Sequence, residues 1–530
     1  MSDRGSDATE LAPDPGYLLV PAGAVVLGAI IVIAAGSVYY FYSHGLSNLY
    51  GDGLAHVEGA RRLFDSRTPG YSEIGSTWLP LFHILASPLA QNSFLWKTGL
   101  AGSVISVAAF IVTAWVLFRL SLGMNRNLSA AVLSLAVFIL CPSMLFLAST
   151  PLTEPLALMW AVLVVYALFR YQQNGGSRTL IGAAVAAFFG TLTRYDGWFV
   201  LPFAAAYILL ARHDSWRIRF RNAVTFSLIA GAGPALWFAH NAYRFGNPLD
   251  FYNGPNSAQA IYAHQLATTA FRYPTDGSWL ISAHYYLADL ILVVGAWPLE
   301  LAILGLIVWL LDIQQRASRA AALLFLVPFV FYVQSMAHAA IPIYVPTLFP
   351  FTYYNLRYGI EMLPAAAIFP SFVLSSRLTS RRRTALLAIF LVAVLLQGFD
   401  LLSQGVRNLA VVQESIQNNP CQSRRQQALI TYFHAHYDGR TILVASGKWP
   451  CVMPALGIPF VNTLSEPDVK SWNQLHKVIP GEVGWIIRGD DDSVDELMRA
   501  YPAVFDGFDL AERDRFEGEG SVEIYRRHSH

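Results

Sequence analysis

Four short polar segments interrupt an otherwise apolar chain, and each carries acidic or basic side chains that could do chemistry. They are residues 50–62, 150–155, 193–198 and 353–364. A carboxylate in such a place can act as a general base toward a hydroxyl group or hold a divalent ion, and a guanidinium suits a phosphate. These residue types therefore offer proton transfer, metal binding and phosphate binding.

In the first segment, Asp52 is the candidate general base. His56 follows four residues later and would share a helical face with Asp52, so it would position the carboxylate. The alternative is purely structural: Asp52 caps a surface helix and satisfies the nearby His56. Both interpretations predict a helix that starts near residue 52.

The second segment contains the turn Thr153-Glu154-Pro155. Glu154 is the candidate second carboxylate of the site. If a divalent cation such as Mg²⁺ or Mn²⁺ takes part, Asp52 and Glu154 would be its ligands. In the alternative, Thr153 caps the helix that follows, and Glu154 lies in its first turn against the positive end of the helix dipole.

The third and fourth segments each supply an arginine. Arg194 and Arg357 are candidates for binding a phosphate, with Asp196 and Tyr358 as further binding residues beside them. Asp196 could instead cap the short helix after it, and Arg357 could extend toward lipid headgroups. The spacing alone leaves both alternatives open.

The composition indicates where these segments must lie. Charged residues make up 13% of the 530 residues, about half the ~25% of a soluble domain, whereas 55% are hydrophobic and the mean hydropathy is +0.42. The charge is also uneven, since 30 of the 71 charged residues follow residue 404. We therefore predict a membrane-embedded region up to residue 404 and a water-soluble tail. The net charge of +1 gives no support for a nucleic-acid partner.

Eleven apolar runs are predicted to enter or cross the membrane. They are residues 17–42, 98–118, 128–148, 153–169, 179–193, 197–211, 222–243, 285–311, 320–338, 358–376 and 384–403. The fifth and sixth runs are short and would turn at one membrane surface. The eighth is broken at Pro298, so it would hold a surface helix and a short span. Asp289 and Glu300 fall in this run, and acids within a membrane are candidate site residues.

The distribution of basic residues predicts the orientation. With the N-terminus inside, the inner loops hold fourteen basic residues in roughly 45 positions, whereas the outer segments hold eight in about 120. The fourteen are Arg119, Arg126, Arg170, Arg178, Arg212, Arg217, Arg219, Arg221, Arg316, Arg319, Arg377, Arg381, Arg382 and Arg383. We therefore predict a multi-pass protein of the cell (inner) membrane, with all four polar segments on the outer face.

Three regions follow from these patterns. Residues 1–16 would be a cytoplasmic segment, residues 17–404 the transmembrane catalytic region with a first outer loop at 43–97, and residues 405–530 a periplasmic or extracellular domain. The tail is predicted to be a small α/β unit with helices at 424–437 and 492–500, strands at 441–445 and 483–488, and a closing hairpin at 503–527.

The three cysteines divide between these regions. Cys141 lies in a predicted span and is interpreted as a small core residue. Cys421 and Cys451 both fall in the outer tail, where an oxidising compartment permits a disulfide. Whether the two pair is left open by the sequence.

Taken in order, the four polar segments resemble those of the GT-C superfamily of membrane glycosyltransferases. The chain is most similar to the bacterial branch related to protein O-mannosyltransferases and to the aminoarabinose transferases that modify lipid A. The resemblance covers about residues 17–380 and rests on Asp52, the turn at Glu154, the Arg-Tyr-Asp-Gly turn at 194–197 and Arg357-Tyr358 before Leu-Pro. The paired Asp-Glu frequent in that first loop is absent, because Gly53 follows Asp52.

This resemblance implies a polytopic α-helical protein with about eleven transmembrane helices and a hexosyl- or pentosyltransferase activity. The donor would be a polyprenyl-phosphate-linked sugar, and the acceptor a hydroxyl of a glycan, lipid or protein of the cell envelope. Asp52 would deprotonate the acceptor, the sugar would transfer with inversion, and Arg194 and Arg357 would stabilise the departing phosphate. The alternative is a transporter or flippase of a lipid-linked or envelope substrate, although no repeated halves are visible.

Overall fold

A computed structural model describes residues 16–374 and 378–528, with side chains from residue 23 onward. Three parts of the sequence prediction lie outside these ranges: the N-terminal segment before residue 16, residues 375 and 376 at the end of the tenth apolar run, and Arg377 of the inner loops.

The first half of the chain is helical, with long apolar helices separated by shorter ones. The helices are α1 (Gly16–Ser43), α2 (Gly51–Arg62), α3 (Leu81–Ala90), α4 (Ser93–Lys97), α5 (Leu100–Asn125), α6 (Leu128–Ile139), α7 (Pro142–Ala148), α8 (Glu154–Asn174), α9 (Ser177–Thr191) and α10 (Asp196–Leu210), with a 3₁₀ turn at Tyr71–Glu73. Helices α2 to α4 occupy the predicted first outer loop, and α9 and α10 are the predicted short pair.

The second half of the membrane region continues the bundle. Its helices are α11 (Trp216–Phe245), α12 (Asp250–Asn253), α13 (Ala258–Thr269), α14 (Trp279–Val293), α15 (Ala296–Leu311), α16 (Ile313–Arg316), α17 (Val327–Ala337), α18 (Leu363–Ile368) and α19 (Ser380–Leu402), with 3₁₀ segments at Ala317–Leu326, Leu356–Met362 and Phe369–Leu374. Every predicted apolar run thus falls on helical structure within the described residues.

Six helical segments of the described chain are long and apolar enough to cross a membrane, or up to eight if each bent pair forms one span. The bent pairs are α6 with α7, at 64°, and α14 with α15, at 115°. The predicted total of eleven stays a prediction, because α9, α10 and the 356–374 segment are short or irregular.

The break expected at Pro298 lies instead at Gly295. Gly295 adopts a φ of +100°, and a Cβ there would lie 2.5 Å from the Gln397 side chain, so only glycine allows this bend. Pro298 lies in the first turn of α15, where a missing N–H costs no hydrogen bond. The prediction placed the break three residues too late because proline is compatible with a helix start.

The tail is a mixed α/β unit, as predicted. It contains α20 (Ala410–Gln417), α21 (Arg424–His436), α22 (Val452–Leu456), α23 (Val469–Trp472), α24 (Ser493–Ala500), β1 (Thr441–Leu443), β2 (Thr463–Leu464), β3 (Val483–Gly489), β4 (Phe508–Phe516) and β5 (Gly520–Arg527), with 3₁₀ turns at Val406–Asn408, Pro420–Gln422, Phe460–Asn462 and Pro502–Phe505. The sheet has the order β2-β1-β3-β5-β4: the first three strands are parallel, and the β4–β5 hairpin pairs antiparallel onto β3.

The tail packs against helices α2 to α4, the predicted first outer loop. One buried apolar cluster includes Phe82 and Trp96 of that loop together with Phe433 and Trp485 of the tail. The contact is also ionic, because Arg67 Nη2 lies 2.5 Å from the Glu482 carboxylate. The two regions that the sequence analysis separated are therefore joined by a shared core.

Cys421 and Cys451 form a disulfide, and Cys141 is a buried free thiol as expected. The disulfide ties the turn before α21 to the start of α22.

The disulfide predicts a thiol count. Under denaturing conditions without reductant, a maleimide reagent should label one cysteine per chain, and after reduction it should label three. The double variant Cys421→Ser/Cys451→Ser should lower the thermal midpoint, since a disulfide of this kind contributes about 2–4 kcal/mol. Labelling of all three thiols before reduction would refute the pairing.

Candidate functional site

A cluster of charged side chains is buried where the polar segments meet. Glu154, the first residue of α8 and 1% exposed, lies at its centre. Its Oε1 accepts hydrogen bonds from Arg194 Nη1 at 3.1 Å and from Arg357 Nε at 2.9 Å. One carboxylate oxygen thus holds two arginines from separate parts of the chain.

Arg194 lies in the turn between α9 and α10 and has four further partners. Its guanidinium donates to Thr153 Oγ1 at 3.0 Å, to Asp196 Oδ2 at 3.3 Å and to Tyr332 Oη at 3.1 Å. The Glu361 carboxylate lies 3.7 Å from its Nε. The Tyr332 hydroxyl donates in turn to Asp196, which closes a small network around Arg194.

Arg357, in the Leu356–Met362 turn, is 6% exposed and joins the other side of the cluster. Its Nη2 forms an ion pair with Asp52, and its Nη1 lies 3.6 Å from the Glu414 carboxylate. The Tyr358 ring lies against both guanidiniums, 4.7 Å from that of Arg194 and 4.9 Å from that of Arg357. Arg357 therefore points into the protein rather than toward lipid headgroups.

Asp52 is the accessible member of the cluster, with 43% of its side chain exposed. Burial raises its pKa, but the basic groups nearby, Arg357 first among them, together outweigh this effect and the resulting pKa is lowered. The carboxylate is therefore ionised at neutral pH and can accept a hydrogen bond from a hydroxyl group at the open side of the site.

Two glycines explain how α2, which carries Asp52, packs closely against the turn before Glu154. A Cβ on Gly53 would lie 3.0 Å from the Pro151 ring, and one on Gly102 would lie 2.5 Å from Pro151 Cβ. Helices α2 and α5 therefore approach the turn before Glu154 closely only because both residues lack a side chain. This packing gives a physical reason for glycine at position 53, where the resembling family often has Glu.

His56 does not support Asp52 by a hydrogen bond. Its Nδ1 lies 2.9 Å from His83 Nε2, and among the described residues this is its only hydrogen bond. Burial lowers the pKa of His56 to about 4 and that of His83 to about 3, so both rings are neutral at pH 7. The role of His56 as a positioning partner of Asp52 therefore stays a prediction, and it would not act through a direct hydrogen bond in this arrangement.

The helix-capping interpretations of Thr153 and Asp196 can be compared with the contacts that these side chains make. Thr153 precedes α8, but its side chain makes no capping hydrogen bond and instead accepts one from Arg194. Asp196 begins α10, and its Oδ1 accepts from the Gly197 N–H at 2.7 Å while Oδ2 binds Arg194. Asp196 therefore combines the helix-start role with the ionic one.

The sequence analysis missed Glu414, which the tail inserts into the cluster from α20. Glu414 is 1% exposed and accepts from the N–H groups of Asn355 at 2.7 Å and Arg357 at 3.3 Å, and from the Tyr50 hydroxyl at 3.1 Å. No local pattern marks it, since α20 reads as an ordinary amphipathic helix. The sequence analysis also missed Glu361 as a site residue, although its position one helical turn after Arg357 could have indicated it.

Five carboxylates surround two arginines in this site: Asp52, Glu154, Asp196, Glu361 and Glu414. Among the described residues, no group of three or more His, Cys, Asp or Glu side chains is arranged to hold a metal ion. The Asp52 and Glu154 carboxylates bind Arg357 instead. The pairing of these two acids on a divalent cation does not fit this arrangement.

A narrow, open apolar cleft adjoins the cluster between α8, α9 and α10. Trp160, Val164 and Val200 contribute to its walls, and Asp196 and Glu361 form its polar end.

The two acids of the predicted eighth run, Asp289 and Glu300, lie in different environments. Asp289 is fully buried against Gly359, whereas Glu300 is exposed on α15. Neither contacts the arginines.

The GT-C resemblance predicts the helical membrane region, and local sequence patterns predict the small α/β tail. Two solved structures share this architecture. The crystal structure of ArnT from Cupriavidus metallidurans bound to undecaprenyl phosphate matches with a TM-score of 0.56 and 14% identity, covering 94% of this chain and 98% of that one. ArnT from the same organism in the apo state matches with a TM-score of 0.56 and 13% identity, covering 96% and 98%.

This likeness confirms the predicted GT-C-like fold, including the small C-terminal domain. No protein-family model and no curated protein matches the chain. The fold is thus established by structure, while the role of each site residue remains a proposal.

Glu414 predicts a pH dependence of stability. Burial raises its pKa to about 7, from 4.5, although Arg357 and backbone N–H groups oppose the shift. Between these values the folded state binds more protons than the unfolded state, so the free energy of unfolding falls as the pH rises. We expect Glu414→Gln to remove roughly 2–3 kcal/mol of this dependence.

The measurement is the difference in thermal midpoint between about pH 5 and about pH 7.5 for the full chain in detergent. The exposed Glu496, on α24, provides the matched control Glu496→Gln, which should behave like the wild type. An unchanged pH difference in Glu414→Gln would contradict the assignment.

Proposed function

We propose that this protein is a membrane glycosyltransferase that moves a hexose or pentose from a polyprenyl-phosphate donor to an acceptor hydroxyl on the outer face of the membrane. The observation that carries the proposal is the partly exposed Asp52 carboxylate held against the buried Arg357–Glu154–Arg194 network. The shared fold supports it, because ArnT has been solved with undecaprenyl phosphate bound.

The donor site in this proposal combines the apolar cleft with the arginines. The open apolar cleft would take the first part of the lipid chain, and its polar end lies beside Arg194. The guanidiniums of Arg194 and Arg357 already bind carboxylates, so a phosphate must displace one of these carboxylates to bind an arginine. Asp52 is the partner most open to displacement, because it is the most exposed of the acids around Arg357.

This displacement links donor binding to catalysis. When the phosphate takes the place of Asp52 on Arg357, Asp52 loses the charge that lowers its pKa and becomes a stronger base. Asp52 then takes the proton of the acceptor hydroxyl, and the oxygen forms a bond to the anomeric carbon. The bond from that carbon to the phosphate oxygen breaks, its electron pair stays on the phosphate, and the sugar transfers with inversion.

Three observations support an outward-facing site. The charge distribution predicts that the four polar segments and the tail lie outside. The Cys421–Cys451 disulfide is typical of an oxidising compartment. The tail also contributes Glu414 to the site, so the tail and the site must lie on the same side. The acceptor would be a glycan, lipid or protein of the cell envelope.

The first test concerns the base. Asp52→Asn keeps the size of the side chain but cannot accept a proton, so the rate of transfer from a labelled polyprenyl-phosphate sugar should fall by about 10²–10⁴-fold. The measurement uses membranes that contain the full chain, and the exposed Asp506 provides the control Asp506→Asn. Wild-type transfer by Asp52→Asn would exclude Asp52 as the base. Absence of transfer by the wild type with any donor would favour the transporter alternative.

A second test concerns the phosphate. Arg357→Lys retains the charge but loses the planar arrangement of donors, so binding of undecaprenyl phosphate should weaken about tenfold. Affinity is measured on purified protein by tryptophan fluorescence. Arg407, exposed at the start of the tail, provides the control Arg407→Lys. Equal affinities for all three proteins would show that Arg357 does not bind the phosphate.

A further inference from the structure

Three of the predicted inner segments join into one surface, which we call the basic surface. They are residues 170–178, 211–222 and 312–319. The Gln172 side chain donates hydrogen bonds to the backbone oxygen of Ala211 at 3.4 Å and to that of Ala317 at 2.8 Å. The Asn222 side chain donates to the Tyr171 hydroxyl at 2.8 Å. The end of α8, the start of α11 and the segment after α15 therefore lie side by side.

Positive charges far outnumber negative ones on the basic surface. It holds eight arginines and two acids, namely Arg170, Arg178, Arg212, Arg217, Arg219, Arg221, Arg316 and Arg319, with Asp214 and Asp312. Both acids already bind an arginine. Asp214 Oδ2 lies 2.7 Å from Arg212 Nε, and Asp312 Oδ2 lies 3.5 Å from Arg319 Nη1. The other arginines therefore have no free acid on this surface to balance them.

Five of these arginines are exposed, and their guanidiniums have no partner in the described ranges. They are Arg170, Arg178, Arg217, Arg221 and Arg316. A guanidinium presents five N–H donors and forms strong charge-assisted hydrogen bonds with phosphate oxygens. The protein does not use these donors in its own packing, so they are available to an anionic ligand.

The start of α11 gives two of these arginines a defined geometry. Arg217 and Arg221 are four residues apart on one helix, so they share a face with Cβ atoms about 5–6 Å apart. The rings of Trp216 and Phe220 form the neighbouring stripe, 58% and 53% exposed, with centroids 6.0 Å apart. The 30 residues of α11 span about 45 Å, which exceeds the ~30 Å of membrane hydrocarbon. Because charge is costly in hydrocarbon, these first turns belong among the lipid headgroups.

We propose that the basic surface binds an anionic phospholipid, with Arg217 and Arg221 on its phosphate. The apolar stripe that begins at Trp216 favours a lipid over a soluble phosphate compound. It continues along the same face of α11 to Val224 and Leu228, which are 39% and 71% exposed. The headgroup thus lies beside the guanidiniums, and an acyl chain follows the stripe into the membrane. This inference does not depend on the proposed transferase function.

A second pair of exposed arginines separates this surface from a general preference for basic loops. Arg381 and Arg382 lie at the start of α19, in another predicted inner loop, and are also exposed. The first two turns of α19 contain no aromatic residue. The two pairs therefore carry the same charge, but only the pair on α11 has an aromatic stripe beside it.

The test measures lipid binding to the full-length protein in neutral detergent by native mass spectrometry. The probes are dioleoyl phosphatidylglycerol, which is anionic, and dioleoyl phosphatidylcholine, which has the same acyl chains and no net charge. Phosphatidylglycerol should bind more tightly. Arg217→Gln/Arg221→Gln should weaken its binding about thirtyfold, because each arginine beside the lipid changes the affinity by about fivefold.

Two further variants serve as controls. Arg381→Gln/Arg382→Gln removes the same charge elsewhere and should bind phosphatidylglycerol like the wild type. Arg217→Lys/Arg221→Lys keeps both charges and should bind within about threefold of the wild type. Since all four side chains are exposed, the thermal midpoints without added lipid should be equal.

The proposal is overturned if the two lipids bind equally or if Arg217→Gln/Arg221→Gln binds phosphatidylglycerol like the wild type. An equal loss of binding in Arg381→Gln/Arg382→Gln would also overturn it, because the affinity would then reflect total charge rather than this surface. Competition by the deacylated headgroup glycerophosphoglycerol, at concentrations equal to those of the lipid, would identify a soluble phosphate compound as the ligand and exclude the lipid.

Discussion

The hydrogen bonds from Arg194 and Arg357 to one oxygen of Glu154 hold the site together. Because all three side chains are largely buried, removal of any one would leave charge without compensation in a region of low polarity, which proteins tolerate poorly. The interaction thereby joins the start of α8, the turn before α10 and the 356–362 segment. Asp52 and Glu414 then attach α2 and the tail to the same arginine.

Much of this site could be predicted because the membrane makes polar residues informative. In an apolar chain, Asp52, Glu154, Arg194 and Arg357 stand out, and the structure brings them together with Asp196 and Tyr358. In the tail, charged residues are common, so nothing in the sequence distinguishes Glu414 from the other acids as a site residue. Its place depends on a contact between residues far apart in sequence, which no local pattern encodes.

For the fold as well, features that depend on local sequence could be predicted, whereas features that depend on contacts between distant residues could not. Apolar runs predicted where the membrane helices occur, and local patterns predicted β1, β3 and the β4–β5 hairpin of the tail, because both depend on local periodicity. The two-residue strand β2 was missed because it is too short to show a pattern. The bend at Gly295 and the glycine at position 53 depend on close contacts with Gln397 and Pro151. The hydrogen bond of His56 was missed for a related reason, since its partner His83 comes from another helix. Helical spacing from Asp52 could not reveal that competing contact.

The insertion of Glu414 has a consequence for the biogenesis of the protein. The carboxylate that holds the N–H groups of Asn355 and Arg357 is contributed by a segment that follows the last membrane helix. During synthesis, the ribosome completes every other part of the ionic cluster before this segment exists. A nascent chain would therefore pass through membrane insertion with the arginine loop incompletely held. The cluster would be complete only after the tail has been synthesised and has folded against helices α2 to α4.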